Sequence, residues 1–353
     1  MDLAQQEVCG LDDSTDTPTV SILMPCYNVA DTIDEAIASL LAQTFQEHEI
    51  IAVDDGSEDS TGDQLAEWNA RDSRLRIISL PHEGIIPALN AGLAACRAPL
   101  IARMDADDRA HPERLTRQVA YLEAHPEVAL VGCLVEGFPA DKVGEGYRLY
   151  IEWLNSLISP EAIEREIFIE SPLAHPSVTM RKAWIERLEG YQDHGWPEDY
   201  DLWLRMSLAG ARFAKVPEVL LYWREHPARL TRTDARYSRD NFLRAKAYYL
   251  RHGPLRNRQA IIIWGAGQMG RRLSKHLLSD VSLKAFVDID PAKIGRKRRG
   301  KPIISPQELM DWWSRYDRPV VLVAVGARGA RELIRQRLVE MGLQEGEDWW
   351  AVA

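Results

Sequence analysis

The fold is organised by residues 100–108, which read Leu100-Ile101-Ala102-Arg103-Met104-Asp105-Ala106-Asp107-Asp108. An apolar run typical of a buried strand ends here in three carboxylates within four residues. No basic residue lies between these carboxylates, and a divalent cation with oxygen ligands would relieve their mutual repulsion. Open α/β sheets bind their ligands at the carboxyl ends of the strands, where this acidic segment is expected. The alternative is an ordinary acidic surface turn, and the rest of the chain decides between the two.

Short apolar runs and amphipathic segments alternate on both sides of this stretch. The pattern predicts strands over 20–25, 50–53, 75–80, 100–104 and 128–135, and helices over 32–43, 63–70, 87–96 and 112–123. Asp31 is predicted to cap the first of these helices, and Pro112 to occupy the first position of the fourth. This alternation predicts an α/β fold built on a mostly parallel, doubly wound sheet.

The second half of the chain divides into a weakly patterned insert, a helical linker and a smaller α/β unit. The insert covers 138–177 and is expected to shape a substrate pocket; helices are predicted within it over 147–158 and 160–169, and after it over 199–209 and 234–251. We predict a tail (1–17), a first domain with the larger sheet (18–233), a helical linker (234–257) and a smaller α/β C-terminal domain (258–353).

Composition and charge narrow the class of protein. The 353 residues carry a net charge of -10, which argues against nucleic-acid binding because that function needs a basic face. Cys9, Cys26, Cys96 and Cys133 are far apart and are predicted to be reduced thiols. We see no signal peptide and no run of ~20 apolar residues that could cross a bilayer. We therefore expect a cytoplasmic protein with at most a peripheral association at the inner face of the membrane.

Polar residues follow three strands of the predicted sheet, and they should converge because parallel strands end at one edge. They are Pro25-Cys26-Tyr27-Asn28, Asp54-Asp55 and Asp105 to Asp108. An aromatic ring that packs on a base, a carboxylate that accepts hydrogen bonds from base or ribose, and an acidic metal site together suit a nucleoside diphosphate. Tyr27 alone could equally be a core residue.

The same residues fall in an ordered series of motifs, by which residues 20–132 resemble the nucleotide-binding half of the inverting family 2 glycosyltransferases, which have the GT-A fold. The motifs are Met24-Pro25-Cys26-Tyr27-Asn28, Val53-Asp54-Asp55-Gly56-Ser57-Glu58-Asp59-Ser60-Thr61, Ala88-Leu89-Asn90-Ala91-Gly92 and Arg103-Met104-Asp105-Ala106-Asp107-Asp108. The resemblance implies that Asp54 contacts the base, Asp105 lies near the ribose and Asp107 binds the metal, with Asp108 a weaker candidate. It also makes Pro25, Tyr27, Asn28, Asp55, Asn90 and Arg103 candidates for binding the nucleotide sugar.

The resemblance continues to about residue 250. His175-Pro176-Ser177 and Gly190-Tyr191 match the region that shapes the sugar and acceptor sites. Glu198-Asp199 matches the family's E-D motif, which implies that Asp199 is the general base. The start of a helix also favours ionised carboxylates there. Arg224-Glu225-His226 resembles an R-x-H motif whose histidine approaches the metal or the diphosphate, although a lone histidine is often structural.

The implied activity is the transfer, with inversion, of a hexose from a nucleotide sugar to a hydroxyl group during polysaccharide or glycolipid synthesis. By family analogy the donor carries UDP, and the cofactor is Mn²⁺ or Mg²⁺. A nucleotidyltransferase is the rival enzyme class, but it would need a glycine-rich basic loop where the chain has Pro25 to Asn28. A non-catalytic nucleotide-sugar sensor is disfavoured because the Glu198-Asp199 pair is intact.

A second nucleotide motif lies in the C-terminal unit. Gly265-x-Gly267-x-x-Gly270 stands between a predicted strand and a predicted helix, and Asp288 ends the next strand near the distance expected for a ribose contact. These residues are candidates for a nucleotide site, and an NAD-dependent oxidoreductase is a third alternative. The unit resembles the small Rossmann-like domains attached to some sugar-modifying enzymes. It has fewer than 100 residues and lacks an obvious partner for hydride transfer, so a structural or regulatory role is favoured.

Overall fold

The computed structural model describes residues 17–277 and 282–353, and this part of the chain holds an eight-stranded and a six-stranded β-sheet. The predicted tail up to residue 16, including Cys9, lies outside the described residues. So does Leu278, the predicted end of the helix after the glycine-rich loop. Cys26, Cys96 and Cys133 are buried free thiols, as predicted. No helix in the described ranges is long and apolar enough to cross a membrane.

The first sheet and its helices occupy residues 20–233. The strands are β1 (Val20–Cys26), β2 (His48–Asp54), β3 (Leu75–Ser79), β4 (Leu100–Arg103), β5 (Arg109–Ala110), β6 (Val128–Phe138), β7 (Thr179–Arg181) and β8 (Arg212–Arg224). The helices are α1 (Ile33–Leu41), α2 (Thr61–Arg71), α3 (Ile85–Ala95), α4 (Arg114–Ala124), α5 (Glu145–Ser156), α6 (Pro160–Glu166), α7 (Lys182–Arg187), α8 (Glu198–Leu208) and α9 (Leu230–Thr233).

The second sheet follows a long connecting helix, α10 (Arg239–His252). Its strands are β9 (Ile261–Trp264), β10 (Leu283–Val287), β11 (Lys297–Arg298), β12 (Lys301–Ile304), β13 (Val320–Val323) and β14 (Trp349–Ala351), with helices α11 (Gln268–Leu277), α12 (Leu309–Trp313) and α13 (Ala330–Glu340). The strand order is β11-β12-β10-β9-β13-β14, and each of these pairs except β11–β12 is parallel. This confirms the second, smaller α/β sheet.

The order of the first sheet, β3-β2-β1-β4-β7-β6-β8-β5, sets the position of the acidic segment. β1 lies between β2 and β4 and is parallel to both, with Cys26 opposite Asp54 and Leu23 opposite Arg103. The three strands therefore end at one edge, which confirms the predicted α/β sheet and the convergence of its strand ends. β7 is antiparallel to β4 and β6, so the other half of the sheet is mixed.

Helix α3 packs directly on this central part of the sheet. A Cβ atom at Gly92 would lie 2.3 Å from a methyl group of Leu23 on β1 and 2.7 Å from one of Val53 on β2. Glycine is therefore required here for the helix to approach the strands. This close packing fixes the distance of α3 from β1 and β2.

Two predicted helix starts are wrong. Helix α1 begins at Ile33 with Thr32, not Asp31, in the cap position, and the Thr32 hydroxyl donates to the carbonyl groups of Val29 and Ala106. Helix α4 begins at Arg114, so Pro112 precedes it; the Pro112 carbonyl instead accepts a hydrogen bond from the Thr44 amide at 2.8 Å. In both cases the segment before the helix is held by a distant loop, which local sequence does not reveal.

The helix predicted over 234–251 also begins late, at Arg239. Ala235–Tyr237 forms a separate 3₁₀ turn, because the Asp234 side chain accepts from the Arg236 amide and Ser238 then caps α10. The 13-residue strand β8 was not predicted, because Lys215, Pro217 and Glu218 interrupt its apolar pattern. In the structure its pairing with β6 contains several register shifts.

Charged side chains join the two sheets. Glu166, at the end of α6, is buried and forms ion pairs with Arg331 (3.1 Å) and Arg335 (2.8 Å) on α13. The Lys246 ammonium group on α10 donates to the carbonyl of Ile169 and lies 3.5 Å from that of Val352. These contacts fix the second sheet against the first domain.

Candidate active site

Three carboxylates meet at the end of β4. One oxygen from each of Asp105, Asp107 and Asp108 lies within 4.8 Å of the others. Two hydrogen bonds hold the loop that carries them. The Met104 amide donates to the Leu23 carbonyl of β1, and the hydroxyl of Thr32, which precedes α1, donates to the Ala106 carbonyl. The acidic segment is therefore a fixed cluster at the sheet edge and not a loose surface turn.

Each carboxylate of the cluster has a different partner. The Arg103 guanidinium lies 2.6 Å from Asp105, although it precedes the cluster in sequence by only two residues. His226 Nε2 lies 2.7 Å from Asp107 Oδ2. The Arg224 amide donates to Asp108 Oδ1 at 2.7 Å, and its side chain donates to the carbonyl of Asp107. The Arg224–His226 motif thus packs against the acidic segment.

These surroundings separate the protonation behaviour of two neighbouring carboxylates. Burial would raise the pKa of Asp107, but the hydrogen bond from His226 and the charge of Arg229 outweigh it and lower that pKa below its usual value. Burial and the charges of Asp107 and Asp105 raise the pKa of Asp108 well above its usual value. Asp108 Oδ2 is buried and has no hydrogen-bond partner among the described residues. An unpartnered carboxylate oxygen beside two other carboxylates fits a divalent cation, which would supply the missing positive charge.

Arg103, which pairs with Asp105 of this cluster, is the next residue of the site. Its side chain is almost fully buried, yet Nε and Nη1 have no partner within the described part of the chain. Its charge also influences the pKa values of His175 and Asp199, so these groups lie near it. Two buried N–H groups without acceptors destabilise the fold unless a ligand supplies the acceptors. An oxygen of a diphosphate or of a sugar would do so.

The aromatic residue after β1 lies open to solvent. Tyr27 is 41% exposed and stacks on the His82 ring, with centroids 4.0 Å apart. His82 is held by Asp55, whose side-chain oxygens also accept from the amides of Glu83 and Gly84. Asp55 therefore orders the loop that leads into α3. The exposed face of the Tyr27–His82 pair is available to a planar base.

The other residues predicted to bind the nucleotide sugar have the following positions and hydrogen-bond partners. Asp54 accepts from the Ser57 amide with Oδ1, which leaves Oδ2 for a ligand. Asn28 has a positive φ of 51° and its side chain accepts from the Glu58 amide, and Pro25 lies in β1 opposite Val53. Asn90 binds both the amide and the carbonyl of Tyr191 with its side chain. Its amide group thus holds the 190–191 loop in place.

Glu198 and Asp199 begin α8 and differ in their partners. Both oxygens of the buried Glu198 accept from the Tyr237 hydroxyl, at 2.9 and 2.8 Å, and Arg236 lies 4.0 Å away. Asp199 Oδ1 accepts from the following amide at 2.7 Å. Burial and then the neighbouring charge of Glu198 raise the pKa of Asp199 to about 8. Burial also raises the pKa of Glu198, against the opposing effect of Tyr237 and Arg236.

Sequence reasoning missed Tyr237, Arg236 and Arg229 as residues of this region. Tyr237 and Arg236 belong to the 3₁₀ turn that was predicted as part of a plain linker helix. Arg229 is buried, donates to the Tyr147 hydroxyl, and its guanidinium lies 4.5 Å from the ring centre of Trp223. The available signal was the break in helical pattern at Asp234 to Ser238, where an Asx turn precedes a serine cap.

The predicted C-terminal residues also come together, away from this cluster. Gly265, Gly267 and Gly270 form the loop between β9 and α11, and Asp288 Oδ2 accepts from the Ala266 amide within that loop at 3.0 Å. Lys293 lies 3.1 Å from the same carboxylate. The carboxylate of Asp288 is therefore engaged by the protein.

Comparison with known proteins places two families on the chain. The model of glycosyl transferase family 2 matches residues 21–188, and that of the family C2185-like, N-terminal, matches residues 257–347. The amylovoran biosynthesis glycosyltransferase AmsE of Erwinia amylovora is 36% identical over 205 residues, which cover 57% of this chain and 74% of AmsE. The putative glycosyltransferase EpsE of Bacillus subtilis is 33% identical, over 64% of this chain and 79% of EpsE.

More distant proteins extend the comparison. An Escherichia coli UDP-Gal:alpha-D-GlcNAc-diphosphoundecaprenol beta-1,3-galactosyltransferase is 28% identical over 59% of this chain and 74% of its own. Among solved structures, S. aureus TarS 1–349 in complex with UDP-GlcNAc superposes with a TM-score of 0.56 at 18% identity, over 73% of this chain and 71% of the other. At that identity the likeness supports the GT-A fold alone.

Proposed function

Because the chain belongs to glycosyl transferase family 2, we propose that it transfers a hexose from a nucleotide sugar to a hydroxyl acceptor, with a divalent cation and with inversion at the anomeric carbon. The observation that carries this proposal is the joint placement of the acidic cluster, Arg103 and Asp199. Arg103 pairs with Asp105 at 2.6 Å, and the charges of both residues act on the pKa of Asp199, which supports one shared site for the phosphates and the base.

The donor would lie along the carboxyl ends of β1, β2 and β4. Its base would pack on the exposed Tyr27 ring, and Asp54 Oδ2 would accept a hydrogen bond from the base. Asp105, Asp107 and Asp108 would hold Mn²⁺ or Mg²⁺, with His226 beside Asp107. The bound cation supplies positive charge that stabilises the departing nucleoside diphosphate. The N–H groups of Arg103 that have no partner among the described residues would donate to the same end of the donor.

Asp199 would act as the general base. Its carboxylate takes the proton of the acceptor hydroxyl while that oxygen forms a bond to the anomeric carbon on the face opposite the diphosphate. The bond from the anomeric carbon to the diphosphate breaks, and the electron pair leaves with the nucleoside diphosphate. Burial, and then the charge of Glu198, which Tyr237 holds in place, keep the pKa of Asp199 high enough for it to accept a proton near neutral pH.

The relatives guide the choice of substrates. The names of two compared proteins include UDP-Gal or UDP-GlcNAc, and one includes a diphosphoundecaprenol-linked acceptor. We infer a UDP-sugar donor and an acceptor in polysaccharide or O-antigen synthesis, either a saccharide or a lipid-linked saccharide at the inner face of the membrane. The nucleotidyltransferase alternative gains no support, because the loop after β1 is neither glycine-rich nor basic.

A thermal-shift screen tests the donor proposal. UDP-, GDP- and dTDP-sugars would be mixed with the full chain in Mn²⁺, in Mg²⁺ and in EDTA. We expect donors with one base to raise the melting temperature more with metal than in EDTA, and Asp107→Asn to lose this difference. Asp63→Asn, an exposed isosteric change in α2, is the matched control and should behave as the wild type. Equal shifts with metal and in EDTA would contradict the proposal.

A further inference from the structure

A large cavity lies where the glycine-rich loop of the smaller sheet faces helix α10. Its volume is about 680 Å³, within the range of small-molecule sites. Gly265, Gly267 and Gln268 line one side, Arg239 and Phe242 of α10 line another, and Ala324 to Gly326 lie after β13. The three acidic residues at the end of β4 do not line it, so it is separate from the candidate active site.

The glycines of the loop have different explanations. A Cβ atom at Gly265 would lie 2.6 Å from the Ala324 carbonyl oxygen, and one at Gly270 would lie 1.9 Å from the Gly265 carbonyl oxygen. Both are required by packing within the protein. A Cβ at Gly267 would meet no atom within 4 Å. The space above Gly267 is therefore open to the cavity, at the amino end of α11 where N–H groups and the helix dipole favour an anion.

Unpaired positive charge surrounds this open loop. Arg239, Arg272 and Arg337 line the cavity, and within residues 17–277 and 282–353 none of their guanidinium groups makes a hydrogen bond or an ion pair. The acidic residues of the lining are Glu170 and Asp288, and Lys293 already pairs with Asp288. The cavity wall thus carries an excess of guanidinium groups, which are well suited to phosphate oxygens.

The Asp288 carboxylate is not free to accept hydrogen bonds from the hydroxyl groups of a ribose. Its Oδ2 accepts from the Ala266 amide, its Oδ1 accepts from the Asp290 amide at 3.0 Å, and Lys293 lies within 3.4 Å of both oxygens. The ribose contact typical of NAD-binding folds is therefore occupied by the protein. Recognition falls instead to the arginines and the open loop.

The rest of the wall is apolar. Ile289 is 74% exposed and Leu333 is 71% exposed, and both line the cavity together with Val325. Exposed apolar side chains that line one cavity next to charged groups are typical of a ligand-binding groove. A planar base would cover them while its phosphates meet the arginines.

We propose that this cavity is a second ligand site that binds a nucleoside diphosphate, with the diphosphate over Gly267 and among Arg239, Arg272 and Arg337, and with the base against Ile289 and Leu333. The site does not depend on the function proposed for the acidic cluster, because it shares no residue with it.

Isothermal titration calorimetry of the full chain tests this site, with UDP and ADP as probes in EDTA. Gly267→Asp places a carboxylate in the open space without meeting neighbouring atoms, and Arg272→Ala removes one guanidinium. Each should weaken binding of at least one probe tenfold or more. Arg271→Ala removes the adjacent arginine of α11, which does not line the cavity, and should bind as the wild type. Melting temperatures would verify that all variants fold.

Asp107→Asn separates the two sites. We expect this variant to keep the EDTA-resistant binding, because the acidic cluster takes no part in it. Loss of all nucleotide binding in Asp107→Asn, unchanged binding in Gly267→Asp, or no binding of either probe at 1 mM would overturn the proposal. None of these results bears on metal-dependent donor binding, which the thermal-shift screen measures independently.

Discussion

Asp199 has a raised pKa and is influenced by the charges of Arg103 and Asp105, and the proposed chemistry depends on it as the general base. Asp199→Asn keeps the size of the side chain and removes its ability to take a proton. We expect transfer to fall by about 10²- to 10⁴-fold, the usual contribution of a general base. Donor binding, measured by calorimetry, should stay within about twofold of the wild type. Asp63→Asn is the control, and full transfer by Asp199→Asn would exclude the assigned role.

The stability of the same variant has a defined sign. The pKa of Asp199 is higher in the folded chain than in the unfolded chain, so folding favours its protonated form and its ionisation destabilises the fold. The destabilisation begins above the unfolded pKa near 4 and reaches its full size above about pH 8. Asp199→Asn should therefore raise the melting temperature at pH 8.5 and change it little at pH 4. A lower melting temperature at pH 8.5 would contradict this electrostatic description.

Glu198 should set the pH dependence of transfer. The base must be ionised, so the rate should rise with pH through the pKa of Asp199, about 8. Glu198→Gln removes a neighbouring negative charge that raises this pKa. We therefore expect the rising limb of the pH–rate profile to move to lower pH, whatever happens to the maximum rate. A limb that stays in place, or moves to higher pH, would show that the two carboxylates are not coupled.

At the scale of elements, the loop after α7 is joined to α3 through one side chain. Gly190 has a positive φ of 72°, and a Cβ there would lie 2.6 Å from Asn90 Oδ1. Gly190→Ala therefore adds both backbone strain and a clash that breaks the Asn90–Tyr191 hydrogen bonds. We expect it to lower the free energy of unfolding by about 2 kcal/mol or more, measured by urea denaturation.

Gly210 provides the matched control for that substitution. Its φ is 86°, and a Cβ there would meet no atom within 4 Å. Gly210→Ala should therefore cost only the strain of the left-handed backbone, about 1 kcal/mol. Equal losses in the two variants would mean that the contact with Asn90 contributes nothing measurable.

The first half of the first sheet could be predicted from sequence because its signals are local. The strands that carry Leu23, Ile51 and Ile101 are continuous apolar runs, and parallel strands bring their ends together whatever lies between them. The convergence of Tyr27 and Asp54 with the acidic segment followed from that rule alone. The capping box at Ser305 and Glu308 is equally local, since the Glu308 side chain accepts from the Ser305 amide at 2.8 Å only three residues away.

The remaining features depend on contacts between distant residues. β8 carries Lys215 in a fully buried position, where its ammonium group donates to the Leu154 carbonyl, so its sequence does not read as a buried strand. The support of Glu198 by Tyr237 spans 39 residues and has no sequence motif. The glycine-rich loop after β9 and the neighbouring Asp288 could be located from sequence. That the amides of Ala266 and Asp290 and the Lys293 side chain already engage the Asp288 carboxylate could not.

At the scale of the whole molecule, the two sheets are joined by a buried carboxylate. Glu166 pairs with Arg331 and Arg335, and the latter pair is 2.8 Å apart with side-chain exposures of 5% and 15%. A double-mutant cycle with Glu166→Gln and Arg335→Gln should give a coupling energy of about 1 to 3 kcal/mol. The exposed pair Glu67–Arg71 is the control and should give about 0.3 to 0.5 kcal/mol.

A small coupling energy between Glu166 and Arg335 would mean that other contacts, among them the hydrogen bonds of Lys246, hold the two parts together. A large coupling energy should change little with salt concentration, because salt screens buried ion pairs poorly. Urea denaturation at 0.1 and 1 M NaCl separates these cases, and we expect the coupling at Glu166 to persist in high salt while that of Glu67–Arg71 disappears.

The central claim is that the acidic cluster and Asp199 form one metal-assisted site for a nucleotide sugar. The most direct test measures nucleoside diphosphate released from UDP-sugars in Mn²⁺ and in EDTA, in the presence of lipid-linked saccharide acceptors, by the wild type, Asp107→Asn and Asp199→Asn. We predict release by the wild type in Mn²⁺ alone, and a loss of about 10²-fold or more in each variant. Release that persists in EDTA, or that survives undiminished in Asp199→Asn, would contradict it.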